Sequence, residues 1–144
     1  MTAKSLLSVL TAIGGATLFT VLATANSATP APSPLVKRGE YLVEKVGMGA
    51  DCHSPRNERG EFLKESSFGG APLPFARTVP LPAWAPVAPP IAGLPTMNEG
   101  QAVAFFTTGV RPDGSRPRPP MPEFRFIPED ARAVTAYLRS VAKK

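Results

Sequence analysis

The chain has 144 residues, enough for one domain around one core, and its formal net charge of +5 comes without a long lysine or arginine run or a nucleic-acid-binding motif. A single cysteine excludes an internal disulfide scaffold, and 18 prolines, most of them after Asn26, exclude long helices in the middle of the chain. Neither a nucleophile–base pair nor a carboxylate pair stands out, so hydrolytic chemistry is not expected.

Residues 1–25 read as a secretory signal peptide. Lys4 precedes an apolar stretch running from Leu6 to Leu22, and Ala23-Thr24-Ala25 offers a small-x-small cleavage site, with cutting after Ala25 or Ala28. An uncleaved membrane anchor is the alternative, because the stretch approaches spanning length. Without Lys4 the net charge is +4. Residues 26–34, rich in Ala, Thr, Ser and Pro, form a flexible leader, and 35–144 form the domain.

Leu35 to Val46 has helical periodicity, with Leu35, Leu42, Val43 and Val46 on one face and charged residues largely on the other. Gly39 inside this helix costs about 1 kcal/mol relative to alanine and therefore calls for a close packing partner. Gly47 and Gly49 are expected to end the helix by permitting positive φ. Cys52-His53 follows, the lone cysteine beside the lone histidine, and a free cysteine in an exported chain is a liability unless something occupies it.

Residues 57–82 are loop-like, broken by Gly60, Gly69, Gly70, Pro72, Pro74, Pro80 and Pro82. A loop this long is unusual in a compact domain unless it wraps something. Phe62, Phe68, Leu73, Phe75 and Trp84 are candidates for the wall around a ligand or for minor core positions. Pro89-Pro90-Ile91-Ala92-Gly93-Leu94 forms a proline-rich turn. A second helix is expected over Asn98 to Thr107, capped by Asn98 or Thr96, ended by Gly109, with Val103 and Phe106 inward. Arg116 to Phe124 then holds Met121 between prolines, off any helical stripe. Arg111, Arg116, Arg118 and Arg125 bracket it as a candidate basic rim. The last helix spans Pro128 to Val141, with Pro128 at its first position, Glu129 and Asp130 near its positive end, and Val134, Tyr137, Leu138 and Val141 inward.

Taken in order, Gly39, Cys52-His53 with Ser54-Pro55-Arg56-Asn57, Pro89/Gly93/Leu94, Met121 and Val134 to Arg139 resemble bacterial c-type cytochromes over about Val36 to Ala142. Cys52-His53 matches the second half of the haem-attachment motif Cys-x-x-Cys-His, and Gly49 stands where the first cysteine would be. The resemblance implies an all-α, small cytochrome c-like fold with three helices and long Pro/Gly-rich loops, its N- and C-terminal helices crossing with Tyr137 near Gly39. It implies one haem c held covalently through Cys52, with His53 and Met121 as axial iron ligands and the Pro89 carbonyl accepting from the proximal histidine. Met97 is the fallback to Met121, whereas Met48 is poorly placed for the opposite haem face. The implied role is periplasmic one-electron transfer, a carrier rather than an enzyme. Its partner would be a redox protein, such as a periplasmic dehydrogenase whose electron-accepting subunit it could form, or a terminal oxidase. No nucleic acid is implied, and no membrane span after signal cleavage. The alternative is a degenerate, haem-free cytochrome domain serving as a binding or structural partner.

Overall fold

The computed structural model describes residues 31–81 and 83–142. The expected signal peptide and residues 26–30 of the leader lie outside the described residues. Within them the chain is mostly helical, with four α-helices and one two-stranded sheet, an arrangement compatible with a cytochrome c-like fold.

Helix α1 spans Pro34–Tyr41. Pro34 fits its first turn, where no amide hydrogen is needed, and the Ser33 hydroxyl accepts from the Val36 amide at 3.3 Å. The helix then widens into a π-helical turn over Leu42–Val46, closed by the Gly47 amide donating to the Leu42 carbonyl at 2.8 Å. The widening shifts the register. Leu42 and Val43 are buried as expected, but Val46 comes out half exposed, and Leu35 is also exposed while Val36 packs against the core.

The expected helix end at Gly47 and Gly49 is corrected. Neither glycine takes positive φ; Met48, between them, does, at 48°. That left-handed residue reverses the chain and starts a short helix, α2, over Gly49–His53, just where the sequence predicts a helix end.

Two minimal strands follow, β1 (Ala71–Pro72) and β2 (Val87–Ala88), paired antiparallel with Ala71 opposite Ala88. Helix α3 covers Glu99–Thr108. Asn98 caps it, its side chain accepting from the Gln101 amide at 2.9 Å while the Gln101 side chain accepts from the Asn98 amide at 2.9 Å. Gly109 closes it at φ 72°. Helix α4 covers Pro128–Ser140, with Glu129 and Asp130 in its first turn.

α1 and α4 cross where Gly39 is buried. A Cβ built there would overlap the Ala133 carbonyl, with its carbon at 2.6 Å, and would lie 2.7 Å from Tyr137 Cβ. Glycine is therefore a steric requirement of the crossing. Tyr137 also donates its hydroxyl to Glu44 Oε1 at 2.6 Å, and Arg38 grips both carboxylate oxygens of Asp130 at 2.9 and 3.0 Å. Leu42, Phe68, Leu94, Phe105, Phe106, Val134 and Leu138 form the core between α1, α3 and α4.

Candidate functional site

The histidine is positioned by backbone. His53 ends α2 and is 6% exposed. Its carbonyl accepts from the Gly70 amide at 2.8 Å, and Ser54 Oγ accepts from the Phe68 amide at 3.0 Å. The Phe68 carbonyl in turn accepts from Ile91 and Ala92, at 2.9 and 3.2 Å. These bonds fasten α2 to the Pro89–Leu94 segment across β1 and β2. His53 Nδ1 then donates to the Pro89 carbonyl at 2.8 Å. A carbonyl can only accept, so Nδ1 carries the proton and Nε2 keeps its lone pair. Burial holds the imidazole pKa below its usual value, partly opposed by the Pro89 bond, which keeps the ring neutral and able to ligate a metal.

Gly70 is a positioning residue that the sequence reading missed. It has φ 84°, and a Cβ there would come within 2.9 Å of the Pro90 nitrogen and 3.0 Å of the Ala88 carbonyl oxygen. The two backbones approach this closely only because position 70 has no side chain. Its signal in the sequence was the Gly69-Gly70 pair, read there simply as loop.

Cys52 and His53 open on a cavity of about 450 Å³, within the range of cofactor sites. Met121 lines the same cavity. The Met121 amide donates to the Arg118 carbonyl at 3.1 Å, and the Ala85 amide ties the neighbouring loop to the Pro119 carbonyl at 2.8 Å. Met97 and Met48 also line the cavity; Met97 packs against the core, whereas Met48 is largely exposed. Burial, and next the Asp51 charge, push the Cys52 thiol pKa up, with Arg56 partly offsetting them.

Of the five side chains expected as cavity wall, Leu73 alone lines it. Phe68 is buried in the core, packed edge-on to Tyr137 at 6.0 Å. Phe62 lies under the Arg56 guanidinium at 3.8 Å, and Phe75 pairs with Trp84 outside the cavity. The aromatic wall comes instead from Phe105 and Phe106 of α3 and from Phe124 and Phe126, whose rings stack at 5.2 Å. The four arginines of the candidate basic rim divide into two pairs. Arg116 and Arg125 both turn to Glu123, at 2.7 and 2.9 Å, while Arg111 and Arg118 line the cavity.

The donor set suits a haem. One neutral imidazole nitrogen and one thioether sulfur are too few ligands for a bare cation, but they would suit an iron already held by a macrocycle. The apolar, aromatic walls suit a flat apolar ring, and Gly49 and Cys52, three residues apart on α2, both face the space.

No family model matches the chain. The chain is 31% identical over 115 residues to a diheme cytochrome c-type protein of Cereibacter sphaeroides, an alignment covering 76% of this chain. The chain spans 36% of that relative's length.

Proposed function

We propose that this chain is a c-type cytochrome that carries single electrons and binds one haem in the cavity between α2, α3 and the Met121 loop. The similarity to a diheme cytochrome supports the cytochrome reading, and one Cys-His pair in the chain fits one haem. The observation that carries it is the buried His53, with Nδ1 committed to the Pro89 carbonyl at 2.8 Å, facing a cavity shared with Cys52 and Met121. Bound there, a haem supplies an iron centre that takes up and releases one electron. The chain's residues do the rest. Cys52 Sγ would provide a single thioether tether, His53 Nε2 and Met121 Sδ would be the protein's donors to the iron, the Pro89 carbonyl fixes the imidazole plane, and the phenylalanines would exclude water. A methionine thioether paired with a histidine donor would favour the reduced iron and so a high potential. Export to the periplasm by the segment before residue 26, and a dehydrogenase or terminal oxidase as partner, belong to the same reading.

The test is the attachment chemistry. With one thioether and one intact vinyl group, the alkaline pyridine spectrum should fall between those of ordinary c-type haem and unattached haem. Cys52→Ala should release the haem to organic extraction. Gly49→Cys should move the spectrum to the ordinary c-type position, and the site admits the side chain. Gly49 has no positive φ, and its Cβ would meet Val43 Cγ1 at 3.1 Å, a methyl that can shift. Folded native protein that contains no haem and takes up none would overturn the reading in favour of a haem-free binding partner.

A further inference from the structure

The geometry points to Arg139 as the positioning residue for the His53 imidazole, acting through the segment whose Pro89 carbonyl accepts the Nδ1 hydrogen bond. What this does for an iron at Nε2 rests on the haem reading above. Pro89 and Pro90 are consecutive, and neither has an amide hydrogen. Upstream, the strand pairing stops at Ala88. The carbonyl that orients the histidine therefore sits where the backbone cannot fasten itself, and its direction depends on bonds made further along. Ile91 and Ala92 donate to the Phe68 carbonyl, a contact that ties the segment only to the chain beside the histidine. Ties to the helical core begin at Gly93. Its amide donates to the Leu138 carbonyl at 2.7 Å, Arg139 Nη1 donates to the Gly93 carbonyl at 3.2 Å, and Arg139 Nη2 donates to the Met97 carbonyl at 2.7 Å. Two of these three bonds come from one guanidinium.

Arg139 is more than a helix cap. It is the basic residue in the last turn of α4, where a cation suits the negative end of the helix dipole. A side chain turned to the last carbonyls of its own helix would serve that end. Arg139 reaches instead to carbonyls 46 and 42 residues earlier. Among the described residues it forms no ion pair, and its Nε is buried without a hydrogen-bond partner. An unpaired buried donor is a cost that an apolar side chain would avoid, so the residue is better matched to gripping the segment than to stabilising α4. Its planar fork fixes two carbonyls at once, which the single ammonium centre of a lysine does not. Gly93 has φ 75°, and a Cβ there would come within 3.0 Å of Ala142 Cβ, so the segment lies close against the end of α4. The contacts thus run from Arg139 through Gly93 to Pro89, and from its carbonyl to Nδ1 at 2.8 Å. With the fork removed the Pro89 carbonyl can swing. An Nδ1 bond that comes and goes leaves the ring free to rotate and makes Nε2 a weaker donor to a metal.

The chain has one histidine, so its ring signals in an NMR spectrum are unambiguous. Arg139→Lys and Arg139→Gln are compared with the wild type on the full chain as purified, reduced if it holds haem. The readouts are the solvent exchange and the chemical shift of the His53 Nδ1 proton. The amides of Ala102 and Val134, deep in the core, report global opening. In both variants the Nδ1 proton should exchange about tenfold or more faster relative to those amides, and its resonance should move upfield as the bond lengthens. A merely structural loss would speed all three protons together; an unchanged ratio and shift overturn the proposal. Arg132→Gln, on the exposed side of α4 beside Glu129, should leave the ratio unchanged. An equal effect there would trace the change to helix charge and also overturn it. Should both Arg139 variants fail to fold, the wild type gives a second reading. The Nδ1 proton and the Gly93 amide should open with the same dependence on denaturant, and independent opening overturns the proposal. None of these measurements needs haem. Protein that holds none and takes up none overturns the electron-carrier reading and leaves this one standing, whereas an unchanged ratio in haem-loaded protein overturns this one alone.

Discussion

At the residue scale, the choice between sulfur ligands is open to a direct experiment. Met121 and Met97 both line the cavity, but Met97 sits at the start of α3 with its carbonyl bound by Arg139 at 2.7 Å, packed against the core. Met121 sits on a proline-braced loop, outside the core cluster. Met121→Ala is expected to abolish the sulfur-to-iron charge-transfer band of the ferric protein and to lower the midpoint potential, while Met97→Ala leaves the band in place. The reverse result in visible spectra would reassign the ligand. Much of this site was legible in the sequence because its chemistry rests on singular residues. A lone cysteine beside a lone histidine and a methionine between prolines stand out without any knowledge of the fold, and the 2.8 Å contact of His53 with the Pro89 carbonyl joins two stretches picked out separately. Gly70 and the phenylalanine walls were not legible in the same way. Gly70 matters only because two distant backbones meet there, and Phe105 and Phe106 are neighbours in sequence, so neither shows a one-sided stripe.

At the scale of elements, the α1–α4 crossing depends on a missing methyl group. Gly39→Ala would push Cβ into the Ala133 carbonyl, a backbone atom that cannot turn aside. It should destabilise the fold by on the order of 3 kcal/mol or more, measured by denaturant unfolding. The Arg38–Asp130 pair acts across the same crossing with a pH signature. The hydrogen bond from Arg38 holds the Asp130 carboxyl below the usual carboxylate range. A depressed folded-state pKa adds stability above the unfolded value of about 3.9, and that increment disappears as pH falls through the folded value. Asp130→Asn should therefore lower the Tm slightly at neutral pH, and the gap from wild type should close below about pH 4. Helices α3 and α4 could be read from their caps and apolar spacing, to within a residue at each end. The π-helical turn and α2 could not. A widened turn breaks the 3.6-residue period without leaving a residue signature, and Met48 occupies a left-handed position that sequence statistics assign to glycine.

For the whole molecule, the distribution of charge bears on how fast a partner is met. A rim of four free arginines would steer an acidic redox partner strongly, but Glu123 pairs with two of them, its single charge offsetting one of the four, and the other two line the cavity. The second-order electron-transfer rate with an acidic partner should accordingly fall by less than about tenfold between low and high salt, as stopped-flow measurement would show. A steeper fall would mean that the guanidiniums reach the partner. The crossing of α1 with α4 also sets a timetable for the nascent chain. Arg38 and Asp130 are 92 residues apart, and the surface that buries Gly39 is made of residues synthesised long after it. At the usual pace of translation, α1 emerges and waits roughly 4–17 s before Pro128 follows it. Through that interval Gly39 only weakens the helix around it, since the packing that repays the glycine does not yet exist. A chain interrupted before α4 is thus left without the closing half of its first long-range contact. It should remain open to proteases, so the crossing distinguishes chains that have reached α4 from shorter fragments.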